Sequence, residues 1–147
     1  MFIDVEIQGK IFEFLVDTGA TITLISRKVA QDHLLGEGSL EPLKSDILIA
    51  DGTTLKIYGM QALKFSIHNR QFQHKMVVAD LTVDGILGLD FLKSNDCTLN
   101  IANCSLILTK PESHIPCHYK GTLGCNRITL SENLTLPPLS EMLTFCN

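Results

Sequence analysis

The sequence lacks the features that mark membrane, secreted or nucleic-acid-binding proteins. No apolar run approaches the ~20 residues that a membrane helix needs, and no basic region followed by an apolar stretch opens the chain as in a signal peptide. The 12 Lys and Arg residues are scattered and outnumbered by 16 Asp and Glu, giving a net charge of −4, which argues against a nucleic-acid surface. We therefore expect an intracellular, cytoplasmic protein that binds neither membranes nor nucleic acid.

The cysteines lack the arrangement of a disulfide framework. There are five of them at irregular spacing, and an odd count leaves at least one thiol unpaired. Free thiols in a reducing compartment are the simpler interpretation. A metal site built from Cys117, His118 and Cys125, with His114 as a further ligand, is the alternative, but it lacks the paired C-x2-C spacing of common zinc sites. We predict no metal and no cofactor.

The hydrophobic pattern indicates strands. Ile3, Val5 and Ile7 alternate with polar residues, as in a half-buried strand, and the returning segment, residues 11–16, becomes continuously apolar, as in a strand buried on both faces. Ser26 is placed to cap a short helix that runs to about Leu34. The pattern predicts a β-rich barrel or sandwich-like domain. Further strands are predicted at residues 21–25, 45–50, 54–58, 63–67, 72–79, 98–101 and 105–108, with a second short helix ending near residue 95.

The composition of the chain changes after Lys110. Four of the five prolines follow it, and Gly121 and Gly124 interrupt the pattern further. Residues 127–130 and 141–145 could still form strands because they are rich in β-branched and apolar side chains. We predict a domain at residues 1–110 and an extension at residues 111–147 that is partly β.

The strongest chemical signal is Asp17-Thr18-Gly19, which follows the apolar run Phe14-Leu15-Val16. A carboxylate at the end of a buried strand is costly unless something satisfies it, and a glycine beside it permits a sharp turn and close approach of another backbone. An ordinary turn Asp is the alternative, since the tripeptide arises by chance in roughly 3% of chains of this length. The pattern favours an acid held at the floor of a cleft.

A second motif supports this interpretation. Ile86-Leu87-Gly88-Leu89-Asp90 places a glycine between aliphatic residues at the start of a short helix, after an Asp51-Gly52 hairpin. In this order and spacing, the motifs resemble those of the retropepsin family, most nearly the proteases of gypsy-type retrotransposon polyproteins. The resemblance covers roughly residues 2–109. Residues 129–142 are in turn similar to the connector between protease and reverse transcriptase in such polyproteins.

The resemblance implies a fold and a set of roles. The fold would be mainly β with one or two short helices, a retropepsin-like closed barrel with one lobe per chain. Asp17 would be the catalytic carboxylate and Thr18 would grip its counterpart across a dimer, while Gly19 and Ala20 complete the active-site loop. The flap and substrate-binding residues would be Ala50, Asp51, Gly52 and Thr53, and Ile86, Leu87, Gly88 and Asp90 would pack beneath the loop.

One Asp-Thr-Gly per chain implies two chains. Peptide hydrolysis by this route needs two carboxylates, one acting as general base on water and the other as general acid. The sequence holds no second Asp-Thr-Gly or Asp-Ser-Gly, and two-fold symmetry supplies the missing carboxylate. We expect a homodimeric aspartic endopeptidase that processes polyproteins and binds its polypeptide substrate in extended form.

Other functions fit the sequence less well. None of the five histidines accompanies a Ser or Cys nucleophile in a recognisable motif, and each is expected to be a surface or hairpin residue: His33, His68, His74, His114 and His118. Asp90 is expected to be a helix N-cap. The alternative to an enzyme is a catalytically silent, retroelement-derived β-domain that dimerises or binds extended peptides in the same groove.

Overall fold

The computed structural model describes residues 1–33, 40–47, 52 and 54–119. These residues form mainly β structure, as predicted, and neither described helix is long and apolar enough to cross a membrane. In chain order the elements are β1 (Phe2–Ile7), β2 (Lys10–Val16), β3 (Leu24–Ser26), α1 (Arg27–His33), β4 (Ile57–Ile67), β5 (Arg70–Ala79), β6 (Gly85–Leu87), α2 (Leu89–Ser94), β7 (Cys97–Asn100), β8 (Ser105–Thr109) and β9 (Glu112–Pro116).

Six of the strands close into a barrel, in the order β1-β2-β6-β3-β5-β4. The hairpins β1–β2 and β4–β5 are antiparallel, and a contact between Glu6 and Ser66 closes the ring. The β2–β6 pair is parallel, with Val16 opposite Leu87. Because parallel strands end at the same edge of a sheet, the segments that follow Val16 and Leu87 emerge side by side. This places Asp17 next to Gly88.

The barrel interior is filled by the apolar residues that the alternation predicts. Ile3, Val5 and Ile7 are fully buried along β1, and Phe14 and Phe91 are the largest fully buried side chains. Full burial of an aliphatic or aromatic side chain stabilises a fold by roughly 1.5–3 kcal/mol. The loop after β2 therefore follows a strand whose side chains are well packed in the barrel core.

The β4–β5 hairpin differs from the expectation of separate strands at residues 54–58 and 63–67. β4 is a single strand of 11 residues, and the predicted break was wrong. The register shifts between Ile57 and Gly59, and Gly59 has a φ of 141°, a conformation open to glycine. The irregularity is absorbed within the strand, so the chain continues without a turn.

The described segments on either side of the predicted Asp51-Gly52 hairpin come together. The Leu55 N–H donates to the carbonyl of Ile47 over 2.9 Å. Residues 48–51 and 53, most of the predicted hairpin, lie outside the described residues.

The C-terminal part of the described chain forms a second sheet in the order β7-β8-β9. Ile115 of β9 is buried in the main core, and His118 exchanges two backbone hydrogen bonds with Phe2, of 2.7 and 2.9 Å. These contacts lie beyond residue 110, where the domain boundary was expected, and that boundary stays a prediction. Residues 120–147 lie outside the described part.

Two truncations test where the folded domain ends. Truncation after Lys110 removes β9 and the buried Ile115, which alone stabilises the fold by roughly 1.5–3 kcal/mol, and it leaves an edge of β8 unpaired. We expect this variant to lose at least about 3 kcal/mol of unfolding free energy. Truncation after Tyr119 retains all these contacts and should unfold at a higher denaturant midpoint than truncation after Lys110. Equal denaturant midpoints for the two truncations would place the boundary at residue 110.

Candidate active site

Asp17 lies on the loop that follows β2, at the end of the barrel where β6 also ends. Its backbone N–H donates to the carbonyl of Leu87 over 3.1 Å, and the Gly19 N–H donates to Asp17 Oδ1 over 2.8 Å. A bond from Ala20 N–H to the Asp17 carbonyl closes the turn at 3.3 Å. The carboxylate is half-buried, and the tight turn fixes its orientation.

Thr18 and Gly19 are exposed beside the carboxylate. Asp17 Oδ1 accepts the Gly19 N–H, and Thr18 borders a cavity together with Leu89 and Leu92. The Thr18 position is thus open to contact by a second molecule. This is the position that the resemblance assigns to a grip across a dimer.

Gly88 packs directly beneath the active-site loop. A Cβ atom at this position would lie 2.5 Å from the carbonyl oxygen of Ile22, closer than real Cβ contacts, and a tight 3.0 Å from that of Ala20. The following N–H groups, of Leu89 and Asp90, donate to the carbonyls of Ala20 and Thr21 over 2.8 and 3.3 Å. Because residue 88 has no side chain, the start of α2 can pack directly against the loop.

A buried hydroxyl, that of Thr23, links this contact to α2. Thr23 is fully buried, and its Oγ1 accepts from the Gly88 N–H over 3.1 Å and donates to Asp90 Oδ1 over 2.7 Å. Asp90 Oδ2 lies 2.9 Å from His74 Nε2. A chain of side-chain hydrogen bonds therefore runs from β5 through α2 to the segment under Asp17.

One prediction fails at this point. Asp90 is not the N-cap of α2, because Gly88 occupies that position without a side-chain capping bond. The Asp90 carboxylate binds Thr23 and His74 instead. His74 is a hairpin residue, on β5 of the β4–β5 hairpin, and its side chain is only 17% exposed.

The pKa of Asp90 is lowered by this environment. Burial raises it, but hydrogen bonds from Thr23, from His74 and from backbone N–H groups outweigh the burial and leave the pKa below its usual value. A carboxyl group with a lowered folded-state pKa stabilises the fold above its unfolded pKa, near 3.9. That contribution is lost as the pH falls through the lower, folded-state value.

A cavity of about 520 Å³ opens beside Asp17. Its polar wall is the active-site loop itself, and its other walls are aliphatic. A cavity of about 540 Å³ lies elsewhere, beside Glu6 and Lys64, but none of the motif residues borders it. An extended chain bound over Asp17 would place apolar side chains in the first cavity. The aliphatic lining consists of Ile22, Leu24, Ile47, Leu55, Leu81 and Ile86.

Most of the predicted flap falls outside the described residues. Ala50, Asp51 and Thr53 are not described, whereas Gly52 is exposed with a φ of 83°. Ile47 and Leu55, at the base of this segment, border the Asp17 cavity and are joined by a backbone hydrogen bond. The two described ends of this segment therefore lie at the edge of the cavity. The flap role of residues 50–53 stays a prediction.

The described cysteines are not paired with one another, and His114 and His118 each lie beside a carboxylate. Cys97, Cys104 and Cys117 are free thiols, and burial raises the pKa of Cys97 to about 11. His118 lies 3.0 Å from Glu13, and Cys125 is outside the described residues. Within the described part of the chain no cluster of metal-ligating side chains occurs.

Sequence reasoning missed Thr23 and His74, and it missed the cavity residues Ile47, Leu55 and Leu81. A signal for His74 was present, because alternation along β5 puts it on the same face as Phe72 and Met76. Thr23 had no comparable signal: β-branched residues are common in strands, and its hydroxyl gains importance only from Gly88, 65 positions away.

Comparison with known proteins agrees with this geometry. A model of the family described as gag-polyprotein putative aspartyl protease matches residues 3–94. The chain is 34% identical over 88 residues to uncharacterized protein K02A2.6 of Caenorhabditis elegans, a stretch that covers 60% of this chain and 7% of that protein. The chain thus spans a small part of that relative.

Solved structures show the same fold at low identity. The retroviral protease-like domain of Ddi1 from Leishmania major matches with a TM-score of 0.61 and 17% identity, over 79% of this chain and 88% of that one. EIAV protease complexed with the inhibitor HBY-793 matches with a TM-score of 0.55 and 22% identity, over 69% and 92%. The predicted retropepsin-like barrel is confirmed, and the chain belongs to the gag-polyprotein aspartyl protease family.

Proposed function

We propose that this chain is an aspartic endopeptidase that acts as a homodimer, with one Asp17 from each chain activating water. The observation that carries the proposal is the position of Asp17. Its half-buried carboxylate is fixed by the Gly19 N–H at 2.8 Å and borders a cavity with aliphatic walls. A rigidly held acid beside an apolar groove is what proton transfer to and from a bound peptide requires.

The chemistry requires a second carboxylate within a few ångströms. A two-fold axis beside Thr18 would bring each Asp17 to its counterpart, and two carboxyl groups about 3 Å apart share one proton because both cannot ionise comfortably. The ionised member would take a proton from water as it attacks the peptide carbonyl, and the protonated member would supply a proton to the departing amine.

The surface around Thr18 suits pairing with a second copy. A cavity of about 510 Å³ lies between Thr18, Leu89 and Leu92 on one side and the residues of β7 on the other. Among the described strands, β7 has a neighbour on one side only, so its other edge presents unpaired backbone groups. A second copy of β7 would satisfy that edge and bring the two Thr18 positions together.

We propose an extended polypeptide as substrate, with large apolar side chains on either side of the scissile bond. The aliphatic lining of the Asp17 cavity supports this preference, since burial of an apolar side chain there gains roughly 25 cal/mol per Å². A polyprotein of the kind that the family name describes is the natural candidate. Flap residues 50–53 would close over it.

The test is peptide cleavage across pH and protein concentration. Because one carboxyl must be ionised and the other protonated, we expect a bell-shaped rate with its optimum between about pH 4 and 6.5. Specific activity should rise with protein concentration as dimers form, and pepstatin should inhibit it. A rate that climbs steadily through pH 8 would point to a different catalytic group. Peptide binding with no cleavage at any pH would instead support the silent binding domain.

A further inference from the structure

A chain of hydrogen bonds connects His74 to Gly88, beneath the active-site loop. Every link is within hydrogen-bonding distance: His74 Nε2 to Asp90 Oδ2 is 2.9 Å, Asp90 Oδ1 to Thr23 Oγ1 is 2.7 Å, and Thr23 Oγ1 to Gly88 N is 3.1 Å. From there, Leu87 O holds the Asp17 N–H. The catalytic turn and the histidine are connected although they lie on different elements.

The direction of each bond depends on the preceding one. A hydroxyl has one proton to donate, and the Thr23 hydroxyl donates it to Asp90, which leaves its lone pairs for the Gly88 N–H. Thr23 is fully buried, so a hydroxyl that lost the Asp90 carboxylate would remain unsatisfied at a cost of roughly 1–3 kcal/mol. The orientation of Thr23 thus follows from the orientation of the carboxylate.

His74 holds Oδ2 of that carboxylate, while Oδ1 accepts from the Thr23 hydroxyl and from the Phe91 N–H, the latter over 2.8 Å. The ring lies edge-on to Phe91, with centroids 5.5 Å apart, and this contact limits its rotation. The neighbouring cation on β5, Lys75, points to the opposite face and pairs with Glu41 over 2.8 Å. Lys75 is thus engaged elsewhere, and the imidazole of His74 lies beside Asp90 Oδ2.

We propose that His74 is a positioning residue for the active site, whose ring holds the Asp90 carboxylate so that Thr23 can receive the Gly88 N–H beneath the Asp17 loop. This inference deepens the proposed function, and its kinetic test rests on the proposed protease activity. His74 does not touch substrate. It acts through Asp90, Thr23 and Gly88 on the position of the catalytic turn.

Kinetics provide the first test. His74→Leu fills a similar volume without a donor, and we expect kcat to fall at least about 10-fold, with KM changed less than about 3-fold, because a small misplacement of a catalytic group slows chemistry more than binding. His74→Gln restores a side-chain N–H donor and should recover most of kcat. The matched control is His114→Leu, which breaks an exposed histidine–carboxylate pair of the same 2.9 Å length remote from the loop, and it should behave as wild type. Failure of Gln to rescue, or an equal loss in the control, would overturn the proposal.

Amide hydrogen exchange provides a test that does not require activity. In the full chain the Gly88 amide should exchange at least about 10-fold faster in His74→Leu than in wild type, while amides in the β1–β2 ladder keep their rates. Parallel acceleration of both sets would mean general destabilisation and would refute a local role. If no variant cleaves peptide and Gly88 still responds selectively, the proposed protease activity fails while the positioning of the loop stands.

Discussion

Asp17→Asn is expected to abolish peptide cleavage, lowering kcat by at least about 10³-fold, and to leave the fold intact. The substitution keeps the shape of the side chain, and the amide oxygen can still accept the Gly19 N–H that now bonds to Oδ1. What disappears is the ability to take a proton from water or to give one to the leaving amine. Rates at the wild-type pH optimum and a thermal melt of both proteins measure the two parts of this prediction.

The control for Asp17→Asn is Asp4→Asn. Asp4 is exposed on β1, away from the loop, so the same loss of charge there should change neither rate nor melting temperature by a measurable amount. A cleavage rate for Asp17→Asn within 10-fold of wild type would assign the chemistry to another group. Loss of folding would instead make Asp17 a structural turn residue, as the alternative interpretation of the tripeptide holds.

The second large effect is expected at Gly88. In Gly88→Ala the new methyl group would meet the backbone of Ile22 at 2.5 Å, and a backbone carbonyl cannot turn aside as a flexible side chain can. We expect a loss of about 3 kcal/mol in unfolding free energy, as for overpacking of a well-packed core. The Ile22 and Ala20 carbonyls belong to the active-site loop, so kcat should fall by roughly 100-fold as well.

Gly9→Ala separates the steric effect from the conformational one. Gly9 has a φ of 77°, which an alanine rarely adopts, but nothing lies within 4 Å of the position its Cβ would take. Its cost should be backbone strain alone, about 1–2 kcal/mol. Gly88 has an ordinary φ of −90°, so its whole cost is steric. Equal losses of stability with full activity in both variants would contradict the seating of Gly88 beneath the loop.

Strand β1 and the cap of the first helix were predictable because local chemistry determines them. Alternation along Phe2–Ile7 buries Ile3 and Val5 as expected. The Ser26 cap is confirmed by a bond from the Val29 N–H to Ser26 Oγ of 3.2 Å. In each case the deciding partners lie within a few residues, where sequence spacing and geometry correspond.

Features that depend on distant partners could not be predicted in the same way. β4 continues through Gly59 because that glycine permits a close approach to the backbone of Leu40 and Glu41. Asp90 leaves the cap position because His74 and Thr23, 16 and 67 positions away, bind its carboxylate. Periodicity indicates which face of a strand or helix a residue occupies, but it does not identify the hydrogen-bond partner that a distant part of the chain supplies.

Mixing wild-type and Asp17→Asn chains tests the shared active site most directly. Random pairing leaves wild-type homodimers as the square of the wild-type fraction, so an equal mixture should retain about a quarter of the wild-type activity. If each chain carried a complete site, about half would remain and activity would fall in proportion to the mutant fraction. The measurement is cleavage rate against mixing ratio at fixed total protein, with subunit exchange verified by mass-tagged chains. A quadratic curve is the result we predict, and a straight line with exchange complete would contradict the one-aspartate-per-chain site.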